Sequence, residues 1–280
     1  MTTPYYQDDA VTLYHGDALE VMDSLPRGSV DLIVTDPPYV IGAVSAGSLG
    51  SKSGGWADMM NSALWFRAWY EQARDLLRHT GAMWSFCNWR TMPVVMRAAM
   101  EAGLPITSMM VWDKEWIGPG GSQGLRPAYE MCGLFAKPGF AIPDRGVPDV
   151  WRHKTGGYKE NGHPAEKPVD LMRRIIRTSG NAGLVLDPFM GSGTTVVAAQ
   201  AEGVRAIGIE AEEKWCELAV KRLSQGGLFA AEPSESAIQQ ALDTDPLAKG
   251  YALTGAPRLA RKRAEQVAHD DALTFDEESA

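Results

Sequence analysis

The sequence predicts an α/β fold in which a mostly parallel sheet carries helices on both faces. The first reason is that short apolar segments alternate with segments of helical period over most of the chain. The second is that two turn motifs each follow an apolar segment: Asp36-Pro37-Pro38-Tyr39 follows 30–35, and a glycine-rich turn at 187–194 follows 184–186. Ligands bind at the carboxyl ends of the strands in such a sheet, so both turns are candidate binding elements.

Each predicted element has a local signal. Runs of β-branched, aromatic and other apolar residues between turn residues predict strands, and apolar residues that recur every three to four positions predict helices. The stretch 138–162 is rich in Gly, Pro and charge without a period, and it is predicted to be irregular. The predicted strands are 11–15, 30–35, 82–86, 106–112, 128–135, 184–186 and 205–209, and the predicted helices are 18–24, 64–79, 92–101, 168–179, 194–202 and 212–223.

The composition suits a globular protein. The chain has 280 residues, of which 45% are hydrophobic and 22% charged, enough for one large core with a small appendage. No apolar run reaches the roughly 18 residues that span a bilayer, and the first residues do not form a signal peptide. The three cysteines are scattered and the histidines lack metal spacing, so neither a metal site nor a disulfide framework is expected. A reducing cytoplasm is the expected compartment, without a membrane partner.

The charge is unevenly distributed. A net charge of −8 and a pI near 5.2 argue against a protein that holds nucleic acid by its overall charge. Much of the excess negative charge lies in 230–280, which is predicted to be an acidic, disordered tail with one basic cluster at 258–263. Between Arg145 and Arg174 the chain carries a local basic group that suits phosphate contacts.

The later turn suits a nucleoside cofactor. Gly191 and Gly193 allow the backbone to approach a ligand closely, and Glu210 ends the next strand, where a carboxylate accepts hydrogen bonds from ribose hydroxyls. The turn lacks a lysine for phosphates and one glycine of the dinucleotide fingerprint. This favours a cofactor without a pyrophosphate.

The earlier turn suits an amino group on a planar ring. The nitrogen lone pair of a nucleobase amine is delocalised into the ring, so a site must hold both N–H bonds to make it reactive. Asp36 can accept one N–H, the carbonyl of Pro37 the other, and Tyr39 offers a face for stacking. Such a base must leave the duplex, which implies base flipping.

The two turns together resemble motifs of S-adenosylmethionine-dependent DNA amino-methyltransferases. Asp187-Pro188-Phe189-Met190-Gly191-Ser192-Gly193-Thr194 is similar to their cofactor motif, and His163-Pro164-Ala165-Glu166-Lys167-Pro168 is similar to the segment before it. His15-Gly16-Asp17-Ala18 also matches. The catalytic motif comes first and the cofactor motif last, as in the circularly permuted beta group of that family. The resemblance covers about 10–225 and implies a Rossmann-like sheet of seven strands with one antiparallel strand.

The resemblance implies roles for individual residues. Asp36, Pro37, Pro38 and Tyr39 would be catalytic. The residues expected to bind S-adenosylmethionine are Asp17, Ala18, Asp36, His163, Lys167, Pro168, Asp187, Pro188, Phe189, Gly191, Ser192, Gly193, Thr194 and Glu210.

Target recognition is expected in loops of the catalytic domain, which is predicted to span 1–229. The predicted insertions are about 42–60, 115–127 and 138–162, and the side chains expected to contact DNA are Lys52, Trp56, Arg126, Arg145, Arg152 and Lys154. The resemblance implies N6 of adenine as the acceptor, because members of the family with Asp before Pro-Pro-Tyr usually methylate adenine. Expected partners are duplex DNA with a flipped adenine, a second copy in a homodimer and a cognate restriction endonuclease.

Alternative functions stay open at this point. Cytosine N4 offers the same kind of amine as adenine N6. RNA and protein-glutamine amino-methyltransferases use a related Asn-Pro-Pro-Tyr, although Asp36 and the motif order count against them. A cofactor-binding scaffold without catalysis is a further alternative, but such a protein would be expected to lose the acid, the tyrosine or the glycines.

Overall fold

The computed structural model describes residues 3–38, 56–118, 124–154, 166–180 and 182–225, together with a few residues between 239 and 267. For 56–62 and 225 it describes the backbone alone. The chain divides into two compact units, Met1–Ser224 and Gln225–Ala280. In the described part of the chain, no helix combines the length and the apolar character that a bilayer crossing requires.

The first unit alternates strands and helices. The strands are β1 (Tyr6–Gln7), β2 (Val11–His15), β3 (Val30–Thr35), β4 (Leu77–Cys87), β5 (Ile106–Asp113), β6 (Tyr129–Ala136), β7 (Val150–Arg152), β8 (Leu184–Asp187) and β9 (Arg205–Glu210). The helices are α1 (Ala18–Ser24), α2 (Trp56–Leu76), α3 (Met92–Glu101), α4 (Val169–Thr178), α5 (Thr194–Ala201) and α6 (Glu213–Gln225).

Among the described residues the strands form one nine-stranded sheet in the order β1-β2-β9-β8-β3-β4-β6-β5-β7. The central strands β2, β9, β8, β3 and β4 are parallel to one another, and β1 pairs with β2 in the antiparallel direction. Strand β6 runs antiparallel to both β4 and β5, and β7 adds in parallel to β5. The carboxyl ends of the parallel strands therefore share one edge of the sheet.

Helices cover both faces, as the alternation of elements predicted. One apolar cluster joins Leu32 and Val34 of β3 to α4, α5 and α6, and contains Ile175 and Val196. The other joins Ile33 of the same strand to α1, α2 and α3. The buried strand β3 thus lies in the middle of two cores, which explains why its sequence is almost continuously apolar.

Side chains at each end of β3 fix its register against β8. At the amino end, Asp31 accepts hydrogen bonds from the backbone N–H groups of Gly183 (3.0 Å) and Leu184 (2.8 Å). At the carboxyl end, the hydroxyl of Thr35 donates to Asp187 Oδ1 at 2.8 Å. These contacts hold the two strands whose tips carry the candidate site motifs.

The structure differs from the sequence prediction in strand number. The described ranges contain nine strands instead of the predicted seven, because β1 and β7 add strands of two and three residues at the two edges of the sheet. Such short edge strands carry too few residues to show a period. Strand β7 lies within the stretch 138–162 that was predicted to be irregular.

The limits of helix α2 also differ from the prediction at 64–79. The helix begins at Trp56, inside the predicted insertion 42–60, and ends at Leu76. The apolar period continues to Leu77, but that residue pairs with Val30 and starts β4. Strand pairing therefore overrides the helical pattern at this point.

The second unit is described at scattered positions. Residues 242–244 and 260–261 are among those with helical backbone. Arg263 pairs with Asp245 at 3.0 Å. The predicted division at 229 lies close to the boundary of this unit, and disorder of the tail stays a prediction.

Candidate active site

Residues from both ends of the chain meet at the carboxyl edge of the sheet. Strands β2, β9, β8 and β3 are consecutive neighbours and parallel. Asp17 follows β2, Glu210 ends β9, Asp187 ends β8 and Asp36 follows β3. The two motifs that the sequence separates by about 150 positions therefore lie on neighbouring strand tips.

The turn after β3 has a constrained backbone. Asp36 is partly buried, Pro37 is buried and Pro38 is exposed. Each proline ring fixes its own φ angle, so two successive prolines limit the directions in which Asp36 and the Pro37 carbonyl can point. Tyr39, the fourth residue of the motif, lies outside the described residues.

Asp36 belongs to a chain of alternating charges. The side chain of Lys167 is only 7% exposed and donates a hydrogen bond to Asp36 Oδ2. Its Nζ also lies 3.2 Å from Glu130 Oε2, and Glu130 pairs in turn with Lys114. The Lys167 ammonium is 5.2 Å from the centre of the Phe86 ring. We call Asp36, Lys167, Glu130 and Lys114 the charge network.

Lys167 and Glu130 keep their ionised forms although both side chains are largely buried. Burial alone would lower the pKa of Lys167, but the charges of Asp36 and Glu130 outweigh burial and raise it. Burial alone would raise the pKa of Glu130, but Lys167 and then Lys114 lower it. A buried ammonium is therefore retained beside the candidate catalytic acid at neutral pH.

The turn after β8 has a backbone that only glycine accommodates. Gly191 and Gly193 have positive φ angles of 52° and 86°. A Cβ atom on Gly193 would lie 2.6 Å from the Cβ of Ala219 on α6. Because Gly193 has no Cβ, the turn can pack closely against α6, as expected of the tight glycine turn of a cofactor cradle.

Asp187 holds the start of this turn. Its carboxylate is buried and accepts hydrogen bonds from the Thr35 hydroxyl (2.8 Å) and the Phe189 backbone N–H (3.0 Å). Burial raises its pKa to about 6, although the hydrogen bonds from Thr195, Thr35 and Phe189 oppose the rise. Its contacts are internal, so Asp187 shapes the cradle through the backbone. Direct contact with the cofactor stays a prediction.

Glu210 and Asp17 border the same cradle. Glu210 Oε2 accepts the Gly191 N–H at 3.0 Å, and Oε1 accepts the Glu212 N–H at 2.8 Å. Asp17 caps α1 by accepting the Leu19 N–H at 2.9 Å. A carboxylate oxygen has room for a second donor, so both residues can still accept hydroxyl or amino groups from a nucleoside.

Arg222 of α6 is a site residue that the sequence gave no reason to select. Its Nη1 donates to the carbonyl (2.9 Å) and hydroxyl (3.0 Å) of Ser192 and to the Thr194 hydroxyl (3.2 Å). Its Nη2 pairs with Glu166 at 2.7 Å. Burial lowers the pKa of Arg222, while Glu166 opposes the shift. The arginine therefore ties the segment before α4 to the glycine turn.

Phe189 packs with aromatic residues of α2. Its ring lies 5.5 Å from the rings of Trp65 and of Trp69. It remains partly exposed, so one part of the ring can face a ligand at the edge of the cradle. This placement agrees with a residue that packs against a bound nucleoside.

The remaining predicted cofactor residues that the structure describes lie at the starts of helices or in the turn after β8. Ala18 begins α1, Pro168 is the N-cap of α4 and Pro188 is buried in the turn after β8. His163 and the predicted DNA contact Lys52 lie outside the described residues, and for Trp56 only the helical backbone is described.

Three of the predicted DNA contacts belong to segments that follow β5 and β7. Arg152 ends β7 with 78% of its side chain exposed, 3.7 Å from Asp113. Lys154 is exposed two residues later. Arg126 donates to the carbonyls of Gly118 (2.9 Å) and Ile117 (3.0 Å), so part of its guanidinium holds the loop after β5.

Arg145 does not lie at the carboxyl edge of the sheet. Strand β6 runs antiparallel to β4, so the chain leaves it at the amino edge of the sheet, where the Gly139 N–H donates to the His79 carbonyl at 3.2 Å. Pro143 contacts Gly180, which follows α4 at the same edge. Arg145 is exposed in the turn just after Pro143, away from Asp36.

Two exposed aromatic residues lie near the carboxyl edge. Trp89 follows β4, is 61% exposed and has the Arg90 guanidinium 4.6 Å from its ring centre. Trp116 follows β5, lies in the predicted insertion 115–127 and is 54% exposed. Trp89 lies outside the predicted insertions, and its position within three residues of a predicted strand end is the signal that could have selected it.

Comparison with known proteins agrees with this geometry. The family model described as DNA methylase matches residues 30–221, more than half of the chain. The chain belongs to the DNA methylase family. This DNA methylase is 33% identical to the methylase YubD of Escherichia coli K12 over 75% of its own length and 88% of YubD. It is 28% identical to the DNA adenine methyltransferase YhdJ of the same organism, covering 81% of its own length and 87% of YhdJ.

A solved structure extends the likeness to a cofactor complex. The crystal structure of the M1.HpyAVI–SAM complex matches this DNA methylase with a TM-score of 0.60 and 26% identity, over 76% of this chain and 98% of that one. The matched protein contains the methyl donor that the cradle after β8 was predicted to bind.

Proposed function

We propose that this DNA methylase transfers the methyl group of S-adenosylmethionine to N6 of adenine within a short DNA sequence. One observation carries the proposal: Asp36 and the turn at 187–193 follow neighbouring parallel strands, β3 and β8, whose tips are joined by the Thr35–Asp187 hydrogen bond of 2.8 Å. An acceptor amine held by Asp36 would then lie beside a cofactor held by the glycine turn.

The residues of the cradle fit S-adenosylmethionine. The missing Cβ of Gly193 lets the turn pack against Ala219 of α6, and Glu210 presents a carboxylate beside Gly191 for the two ribose hydroxyls. Asp17, on the tip of β2, can accept the adenine amino group of the cofactor, and Phe189 offers its ring. When bound, S-adenosylmethionine supplies a methyl group that its sulfonium charge has already activated.

The catalytic turn acts on the acceptor amine. The Asp36 carboxylate accepts one N–H of the amine, and the Pro37 carbonyl accepts the other. Both contacts concentrate the lone pair on nitrogen and fix its direction, which is catalysis by orientation and by a preorganised charge. The rigid prolines keep the two acceptors in place, and Tyr39 would stack on the ring.

Adenine is favoured by two observations. Asp36 precedes Pro-Pro-Tyr, the form of the motif typical of adenine methylases, and YhdJ is named as an adenine methyltransferase. The base must be flipped out of the duplex to reach a carboxylate that is partly buried.

The DNA would approach the carboxyl edge of the sheet. Arg152 and Lys154 offer exposed cations for phosphates, and Trp89 and Trp116 offer aromatic faces for unstacked bases. The permuted motif order also supports assignment to the beta group. A homodimer, a cognate endonuclease and a cytoplasmic location stay predictions from the resemblance.

Transfer of a labelled methyl group tests the proposal. Purified protein is incubated with labelled S-adenosylmethionine and plasmid DNA, and the DNA is digested to nucleosides and analysed by mass spectrometry. N6-methyladenine is expected from the wild type and a loss of product from Asp36→Ala with cofactor binding intact. Label in N4-methylcytosine would overturn the choice of base, and label in RNA or protein instead of DNA would overturn the substrate class.

A further inference from the structure

We propose that Lys167 and Glu130 are positioning residues that set the orientation of the Asp36 carboxylate. The inference rests on the proposed function and deepens it, because it adds to the catalytic turn two side chains from elsewhere in the chain. It also changes the role of Lys167, which sequence reasoning placed among the cofactor-binding residues.

The first observation is the burial of Lys167. Only 7% of its side chain is exposed, and the ammonium is surrounded by Asp36, Glu130 and the ring of Phe86. A buried lysine is costly unless it is paired, and a pair of carboxylates on one lysine needs good geometry to be tolerated. Such an arrangement next to a reacting group has a mechanistic use: the ammonium holds Asp36 Oδ2 in one direction while the acceptor amine approaches.

The second observation is that the partner of Lys167 is itself held. Glu130 lies at the start of β6 and pairs with Lys167 through Oε2 at 3.2 Å and with Lys114 through Oε1. The strand fixes the Glu130 backbone, so the Lys167 ammonium is held by a second carboxylate besides Asp36. The position of the ammonium then determines where Asp36 Oδ2 points.

The third observation is the connection to the cofactor cradle. Glu166, the neighbour of Lys167, pairs with Arg222, which in turn donates to Ser192 and Thr194. The adjacent residues Glu166 and Lys167 therefore connect to different halves of the site. Glu166 is linked to the glycine turn through Arg222, and Lys167 contacts the catalytic carboxylate of Asp36. Separate effects on the two halves are expected when Lys167 and Arg222 are changed.

Other titratable groups around the network are common to every variant compared below. Burial, followed by the charges of Asp36 and Glu130, raises the pKa of the Cys87 thiol to about 12, and burial raises the pKa of Cys132 as well. Asp187 faces Asp36 from β8, and Lys114 faces Glu130. Differences between variants therefore report on the residue that was changed.

The test measures the single-turnover rate of methyl transfer and the concentrations of DNA and cofactor that half-saturate it. Lys167→Gln is expected to lower the rate about 10- to 100-fold with both half-saturating concentrations within about 3-fold of the wild type, because Asp36 keeps its carboxylate but loses the donor that fixes its direction. Glu130→Gln leaves the ammonium with Asp36 alone and should lower the rate about 3- to 10-fold. Lys167→Arg keeps a cationic donor and should recover most of the rate.

Calorimetric titration with S-adenosylmethionine separates this role from cofactor binding. We expect the affinity of Lys167→Gln to stay within about 3-fold of the wild type, with Lys221→Gln, an exposed lysine of α6, as the control that changes neither property. A loss of rate in Lys167→Gln that Lys167→Arg restores, at unchanged cofactor affinity, supports the proposal, since a role in folding alone would not separate the rate from the affinity.

Other outcomes overturn the proposal. A loss of rate in Lys167→Gln that a matching loss of cofactor affinity accounts for would make Lys167 a cofactor ligand only. If Lys167→Gln does not fold, Glu130→Gln decides, and a wild-type rate in that variant overturns the proposal. The proposed function fails differently, because in that case the wild type itself does not methylate adenine in DNA.

Discussion

The two halves of the site lie on neighbouring strands but are held by different forces. In the turn after β8, backbone N–H groups donate hydrogen bonds to the carboxylates of Asp187 and Glu210, and Gly193 packs against α6. The Asp36 tip is held by ion pairs in the charge network. Backbone contacts give a fixed shape that suits binding, whereas a balance of charges can respond to pH and act on a reacting amine. Changes at the turn should therefore alter affinity and stability, and changes at the tip should alter turnover.

The largest effect is expected at Asp36. Asp36→Ala removes the acceptor for one N–H of the target amine and the charge that polarises it, so the rate of methyl transfer should fall by about 10² to 10³-fold. The affinity for S-adenosylmethionine should change little, since the cradle is built by other strands. Single-turnover kinetics and calorimetry measure the two quantities, and Asp23→Ala on the exposed side of α1 is the control.

The contrast between Gly193 and Gly203 tests the turn. Both have positive φ angles, 86° and 67°, but a Cβ meets Ala219 at 2.6 Å only at Gly193 and has open space at Gly203. Gly203→Ala should cost about 1 kcal/mol of unfolding free energy from backbone strain alone. Gly193→Ala adds overpacking, about 1 to 3 kcal/mol, and should weaken cofactor binding at least 10-fold. Equal cofactor affinity in the two variants would show that the turn does not hold the cofactor.

The pH dependence of stability tests the burial of Asp187. Because its pKa in the folded state is raised to about 6, the folded protein binds this proton more tightly than the unfolded chain. The contribution of Asp187 to stability therefore falls as pH rises from about 4 to 6, by roughly 2–3 kcal/mol. Asp187→Asn should lose this part of the pH dependence, measured by urea unfolding between pH 4 and 7. An identical pH profile for the two proteins would contradict the buried geometry.

The smallest effect is expected from single DNA contacts. Arg152 lies at the carboxyl edge and Arg145 at the amino edge, and both are exposed. Arg152→Ala should raise the KM for DNA about 3- to 10-fold and lower the slope of log affinity against log salt by about 1. Arg145→Ala should leave the KM for DNA within about 2-fold of the wild type and the salt slope unchanged. The reverse result would place the DNA on the opposite side of the sheet.

Much of the fold could be predicted because its signals are local. The buried strand β3 is apolar almost throughout, and both α1 and α3 have the limits that the pattern gave. The short strands β1 and β7 were missed because two or three residues carry no period. The end of α2 was missed because Leu77 suits a helix locally but pairs with Val30 in the sheet.

The site could be predicted only where residues follow strand tips. Asp36, Asp187 and Glu210 were found because each ends or follows an apolar strand. Glu130 and Arg222 were missed because their roles arise from contacts between distant segments, with Lys167 and with Ser192. The pattern of a single segment does not contain such contacts.

Sequencing of DNA from cells that express the gene and lack other adenine methylases tests the central claim most directly. Modification-sensitive reads should show N6-methyladenine at one short sequence with the wild-type protein, and none with Asp36→Ala. Marks on cytosine, or an undiminished adenine signal in the Asp36→Ala strain, would contradict methyl transfer by the joined tips of β3 and β8.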